Sequence, residues 1–205
     1  MGMIIPVILC HPREGSFNHA LGAVAQETLS GLGHSVRLHD LYAERFDPVM
    51  PPSELARGFS LDEQVQVHLE ELSRADGLVI IHPDWWGQPP ALLKGWIDRV
   101  LRPGFAYEYE GEEFLPKRRI PLLQGKSGLV FCTTDSSPQE SRSLVNLWTE
   151  RILGYCGMRA ECCVFADMRA SDTSDRRRGL LLAREKLAAS FPARAGKSPA
   201  PAAVT

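Results

Sequence analysis

The chain has 205 residues, which at ~150 residues per domain favours one domain with a core large enough to need no metal or disulfide staple. Apolar residues make up 44% and charged residues 23%, and this excludes wholesale disorder or a fibrous repeat. Twenty-three Lys and Arg against 25 Asp and Glu give a net charge of −2, so nothing in the charge argues for nucleic acid as a partner. Five cysteines, at positions 10, 132, 156, 162 and 163, form no CxxC pair. That pattern suggests reduced thiols in a cytoplasmic protein and offers no zinc site. The opening MGMIIPVILC is too short and lacks a basic start, so no signal peptide or integral membrane segment is expected from it.

In chain order, the apolar run 3–10 reads as a strand, with Pro6 expected near its start because it donates no ladder hydrogen bond. Leu21, Val24, Ala25, Thr28, Leu29 and Leu32 follow a helical stripe that Gly31 and Gly33 terminate. Residues 34–39 alternate as an edge-type strand, and 43–60 read as a loop. Leu61, Val65, Leu69 and Leu72 mark a second helix, and Gly77–His82 is continuously apolar, as in a strand covered on both faces. A third helix follows from Leu92 to Val100, then an irregular aromatic stretch at 102–126. A buried strand at 128–132, a helix around Leu144–Ile152, a strand at 160–166 and a last helix ending near Phe191 complete the series. The expected organisation is one domain over 1–191 and a tail at 192–205 too poor in apolar residues to fold.

Five strand–helix alternations imply a three-layer α/β sandwich with a mainly parallel sheet. The flavodoxin-like order 2-1-3-4-5 suits five strands and makes the first and third neighbours at the topological switch point, where ligands bind. The two most unusual loops, HPREGSFN at 11–18 and HPDWWGQPP at 82–90, follow those two strands. Ser16 and Asn18 open a helix, whose N-terminal amides suit a phosphate; plain helix capping accounts for the same residues. His11 and Arg13 add donors or positive charge. GxGxxG and GxxxxGK[ST] are both absent, which disfavours a dinucleotide fold and a P-loop. Trp85 and Trp86 suit a flat wall against a planar ring, or equally a core or an interface. Thr133, Thr134, Asp135 and Ser136 end the fourth strand with hydroxyls and amides suited to a ring's polar edge.

These stretches, together with PDWWGQPPALLKGWIDRVLRPGFAYEYE, resemble the flavodoxin-like NAD(P)H:quinone oxidoreductase family, which includes DT-diaphorase and the ancillary flavoproteins of bacterial potassium efflux. The resemblance spans about residues 3–191. It implies that His11, Ser16, Phe17 and Asn18 hold the flavin's phosphate and ribityl chain. Pro83, Asp84, Trp85, Trp86 and Gly87 would line the isoalloxazine, with Thr133 and Thr134 at its polar edge. Tyr107 and Tyr109 match tyrosines that close the substrate pocket, commonly across a homodimer interface. Asp135 and Ser136 stand where relatives often carry glycines, and no tyrosine–histidine charge relay follows them. The implied activity is ping-pong hydride transfer from NAD(P)H through FMN, with FAD as the alternative, to a quinone-like acceptor. The length of the chain favours FMN, and Tyr107 is the candidate donor to the acceptor's oxygen. The alternative function is that of a flavin-binding regulatory subunit of a glutathione-gated potassium efflux system. A hydrolase is disfavoured by the absence of GxSxG and of any evident Ser–His–Asp arrangement. The basic run Arg176–Arg178 reads as a solvated helix face.

Overall fold

The computed structural model describes residues 2–111, 118–137 and 139–193. Strands β1 (Ile4–Leu9), β2 (Ser35–Asp40) and β3 (Gly77–Pro83) are joined by helices α1 (Phe17–Gly31), α2 (Pro52–Arg57) and α3 (Glu63–Arg74). Helix α4 (Ala91–Val100) leads to a hairpin of β4 (Tyr107–Glu110) and β5 (Arg118–Pro121). Strand β6 (Ser127–Thr133), helix α5 (Arg142–Asn146), β7 (Arg159–Phe165) and α6 (Thr173–Ser190) complete the chain. The main sheet is five-stranded in the order β2-β1-β3-β6-β7, and every pairing in it is parallel. With the hairpin left out of the count, this is the 2-1-3-4-5 order expected from the alternation.

Local chemistry explains where the helices start. Ser16 caps α1 by accepting from the His19 amide, and Asp62 caps α3 by accepting from Gln64 and Val65. Asp172 and Asp175 form a reciprocal capping box at the start of α6. Pro6 sits third in β1 rather than at its start. The β1–β3 pairing begins only at Val7, which leaves the imino position outside that ladder.

Strand residues alternate between two apolar clusters. Ile8, Leu78, Ile80 and Val130 face α3, α4 and Trp148, whereas Val7, Val79, Ile81 and Phe131 face α1 and α6. The expected loop 43–60 contains α2, a helix too short to show an apolar period. It is fastened by charge rather than by apolar burial. Glu54 is 1% exposed and receives hydrogen bonds from Arg99 (2.8 Å), Arg102 (3.0 Å) and Ser60 (3.0 Å). Gly95 of α4 lies under Pro48, where a Cβ would come within 2.3 Å of that ring. Residues 102–126 likewise hold more order than expected, because β4 and β5 pair antiparallel. After α5 the helix widens into a π-helical turn at Leu147–Ile152, which seats Trp148 fully buried against His82. Among the described residues no helix is long and apolar enough to cross a membrane. Most of the tail expected at 192–205 falls outside them.

Candidate active site

The carboxyl ends of β1, β3 and β6 converge at the switch point, and a cleft of about 420 Å³ opens there. Its floor is polar and buried. Asn18, at 3% exposure, donates from Nδ2 to Thr133 Oγ1 over 2.9 Å, linking α1 to β6. Thr134 Oγ1 donates to Asp84 Oδ2 at 2.9 Å and accepts from the Ser136 amide, while the Asp84 amide donates to the Thr133 carbonyl. Two buried oxygens at this junction, Asn18 Oδ1 and Asp84 Oδ1, have no partner among the described residues. Buried polar atoms of that kind are rare, and a ligand that supplies donors would satisfy them.

The phosphate-suited end is built by the loop before α1. Gly15 takes a φ of +68°, which a side chain would strain, and turns the chain into the helix. Ser16 caps only the His19 amide, so the earlier amides of Phe17 and Asn18 remain for a ligand at the positive end of the helix. Ser16 Oγ also meets His19 Nδ1 at 2.9 Å, and His19 Nε2 meets Asp40 Oδ2 at 3.0 Å. This Ser–His–Asp chain is not visible as a sequence motif, because Asp40 arrives from the end of β2. Its hydroxyl serves as a helix cap and meets Nδ1 of the imidazole, so it orients Ser16 rather than marking an exposed nucleophile. His11 folds back on Arg13, with its Nδ1 3.1 Å from the Arg13 amide, and burial lowers its pKa.

Eleven of the residues singled out from sequence line this one cleft: His11, Arg13, Ser16, Phe17, Asn18, Pro83 and Asp84, with Trp85, Thr133, Thr134 and Asp135. Trp86, Gly87 and Ser136 do not line it. Trp85 and Gln88 bond to each other's backbones across a tight turn, with Trp86 (φ +61°) and Gly87 (φ +75°) at its tip. The neighbours therefore diverge: Trp85 is 42% exposed at the cleft, and Trp86 is fully exposed. Tyr107 and Tyr109 lie elsewhere on the chain, packed with Tyr155, whose hydroxyl is 2.5 Å from that of Tyr109. Arg119 covers the Tyr155 ring at 4.0 Å.

The sequence reading missed Met168, Arg169 and Arg176 in the cleft wall. Arg176 belongs to the run assigned to a solvated face, yet the first turn of α6 brings it to the cleft. The loop after β7 carries the other two, with the Met168 amide bonded to the Thr134 carbonyl. With Arg13, three guanidinium groups ring a cleft that holds two carboxylates, a balance suited to an anionic ligand.

A parallel sheet with a polar, cation-rimmed cleft at its switch point defines a flavodoxin-like architecture. Residues 3–189 match the family described as Flavodoxin-like fold, and the chain belongs to that family. It is related to the NAD(P)H:quinone oxidoreductases. It is 30% identical over 197 residues to an uncharacterized NAD(P)H oxidoreductase of Haemophilus influenzae, covering 91% of this chain and 95% of that one. It is also 30% identical to the ribosyldihydronicotinamide dehydrogenase [quinone] of Pongo abelii, over 89% of each chain. Among solved structures it resembles the NAD(P)H:quinone oxidoreductase from Methanothermobacter marburgensis, with 26% identity and a TM-score of 0.75. That match covers 91% of this chain and 96% of the other. Family, fold and cleft together support flavin-dependent oxidoreduction with NAD(P)H and a small-molecule acceptor.

Proposed function

We propose that this chain is an NAD(P)H dehydrogenase that binds FMN in the switch-point cleft and reduces quinones or similar acceptors. The observation that carries the reading is the cleft's division into two ends. One end offers helix amides, Ser16 and arginines to a phosphate; the other offers Trp85 to a ring and unpartnered polar oxygens to the ring's edge. The phosphate would lie against the N-terminus of α1, and His19 keeps the Ser16 hydroxyl fixed there. Asn18 Oδ1 and Asp84 Oδ1 accept from donors along the flavin, and Thr133 stands at its polar edge. When bound, the flavin supplies two-electron chemistry, taking hydride from NAD(P)H and returning it to the acceptor. The protein's own contribution is position, charge and a wall that excludes water from one face. Tyr107 and Tyr109 serve a partner's cleft in a homodimer, with Tyr107 donating to the acceptor oxygen.

Reconstitution tests this directly. The purified protein should take up FMN, turn yellow and oxidise NADPH or NADH in the presence of menadione. Flavin uptake without turnover would instead support the regulatory-subunit reading, and failure to bind flavin would defeat both.

A further inference from the structure

Away from the cleft, β2, the turn after it and α3 bring together His39, Glu44, His68 and Glu71. One ligand atom from each of His39, Glu44 and His68 lies within 4.8 Å of the others. Both imidazoles are 3% exposed. His39 Nδ1 is 2.9 Å from one oxygen of Glu44, and His68 Nε2 is 3.7 Å from the other. The second separation is too long for a hydrogen bond, so His68 Nε2 is a buried polar atom without a partner among the described residues, aimed at the carboxylate.

From this arrangement we infer a zinc site in which His39 Nδ1, a Glu44 oxygen and His68 Nε2 are the protein ligands and solvent completes the tetrahedron. Two imidazoles and one carboxylate suit Zn²⁺, whereas Ca²⁺ and Mg²⁺ call for oxygen ligands throughout. Glu71 supplies the outer support that such sites require: its Oε2 accepts from His39 Nε2 at 2.6 Å, which leaves Nδ1 as the ligating nitrogen. Arg37 in turn holds Glu71 at 2.9 Å.

The ligand from the turn is held in advance. Asp40 Oδ1 accepts from the amides of Tyr42 and Ala43, the Glu44 amide donates to the Asp40 carbonyl, and Gln64 holds the Glu44 carbonyl. Glu44's side chain is one-third exposed, which provides the entry path and the solvent ligand. Zinc at this position would give His68 Nε2 the partner it lacks among the described residues. The site would clasp the end of β2 to α3, next to Asp40, which orients His19 and Ser16.

Calorimetric titration of the chelator-treated, desalted full chain with zinc chloride should show one ion bound per chain. Zinc at about a hundredfold excess over its dissociation constant should raise the melting temperature by roughly 5–10 °C. His68→Gln should abolish both effects. Glu44→Gln, which keeps the size of a partly exposed side chain, should weaken binding at least tenfold. Cobalt substituted for zinc should give visible bands without a thiolate charge-transfer band. No binding by the wild type, binding unaltered in Glu44→Gln, or a thiolate band would each overturn the site.

Discussion

Trp85 and Trp86 are adjacent in sequence and opposite in circumstance, which makes them a matched pair for mutation. Trp86 holds a left-handed backbone, at about 1–2 kcal/mol for an L-residue, and buries none of its ring. Asn-Gly is the favoured pair at such a turn tip, so Trp86→Asn should raise the melting temperature by about 2–4 °C. Trp85→Ala should leave the melting temperature within that range and loosen the flavin, read as altered flavin fluorescence and slower NADPH turnover. If Trp85→Ala alters neither flavin fluorescence nor turnover, the wall assigned to it fails. Ser16→Ala with Asn18→Ala should weaken flavin binding by about 1–3 kcal/mol, measured by titration against the wild type. That Ser16, Asn18 and Trp85 share one cleft was legible because the expected strand order sets the loops after β1 and β3 side by side. Arg169 and Arg176 were not, since a charged residue at a helix start looks the same whether it faces solvent or a ligand. The His39–Glu44–His68 grouping was equally invisible, because its members come from three elements and follow no ligand spacing.

At the scale of elements, long segments were read correctly wherever apolar period or continuity was strong. The buried strands β3 and β6 and the stripes of α1 and α4 are examples. Helix α2 escaped because its six residues span under two turns and its inward residue is a glutamate. That glutamate makes α2 testable. Glu54→Ala would leave Arg99 and Arg102 buried without their shared partner and should destabilise the protein by about 3–5 kcal/mol in urea unfolding. Acid should act on the same contacts. Burial alone would raise Glu54, but the bond from Arg99 outweighs it and holds the carboxyl below its ordinary value. Burial would raise Glu44 too, but the bond to His39 and the nearby imidazole of His68 outweigh it and pull the carboxyl down to about 2. Carboxylates lowered by folding stabilise above their unfolded pKa, and that stability disappears as pH falls through the folded value. Urea midpoints should therefore drop between about pH 4.5 and pH 2, with a smaller drop in Glu54→Ala. Equal acid sensitivity in both proteins would show that Glu54 carries none of it.

For the whole molecule, the hairpin β4–β5 and the fully exposed Trp86 present aromatic surface left partly open among the described residues. We expect a symmetric homodimer by light scattering at micromolar concentration; a fully active monomer would remove the role proposed for Tyr107 and Tyr109. The central sheet has another consequence, for how substitutions combine. Its strands send alternate side chains into two apolar clusters with no residue in common. Val24→Ala on the inner face of α1 and Leu72→Ala on the inner face of α3 should each destabilise by an amount set by local packing, and the double mutant should match their sum within about 0.5 kcal/mol. A double-mutant cycle closing that tightly would mean that each face of the sheet can accumulate changes without reference to the other.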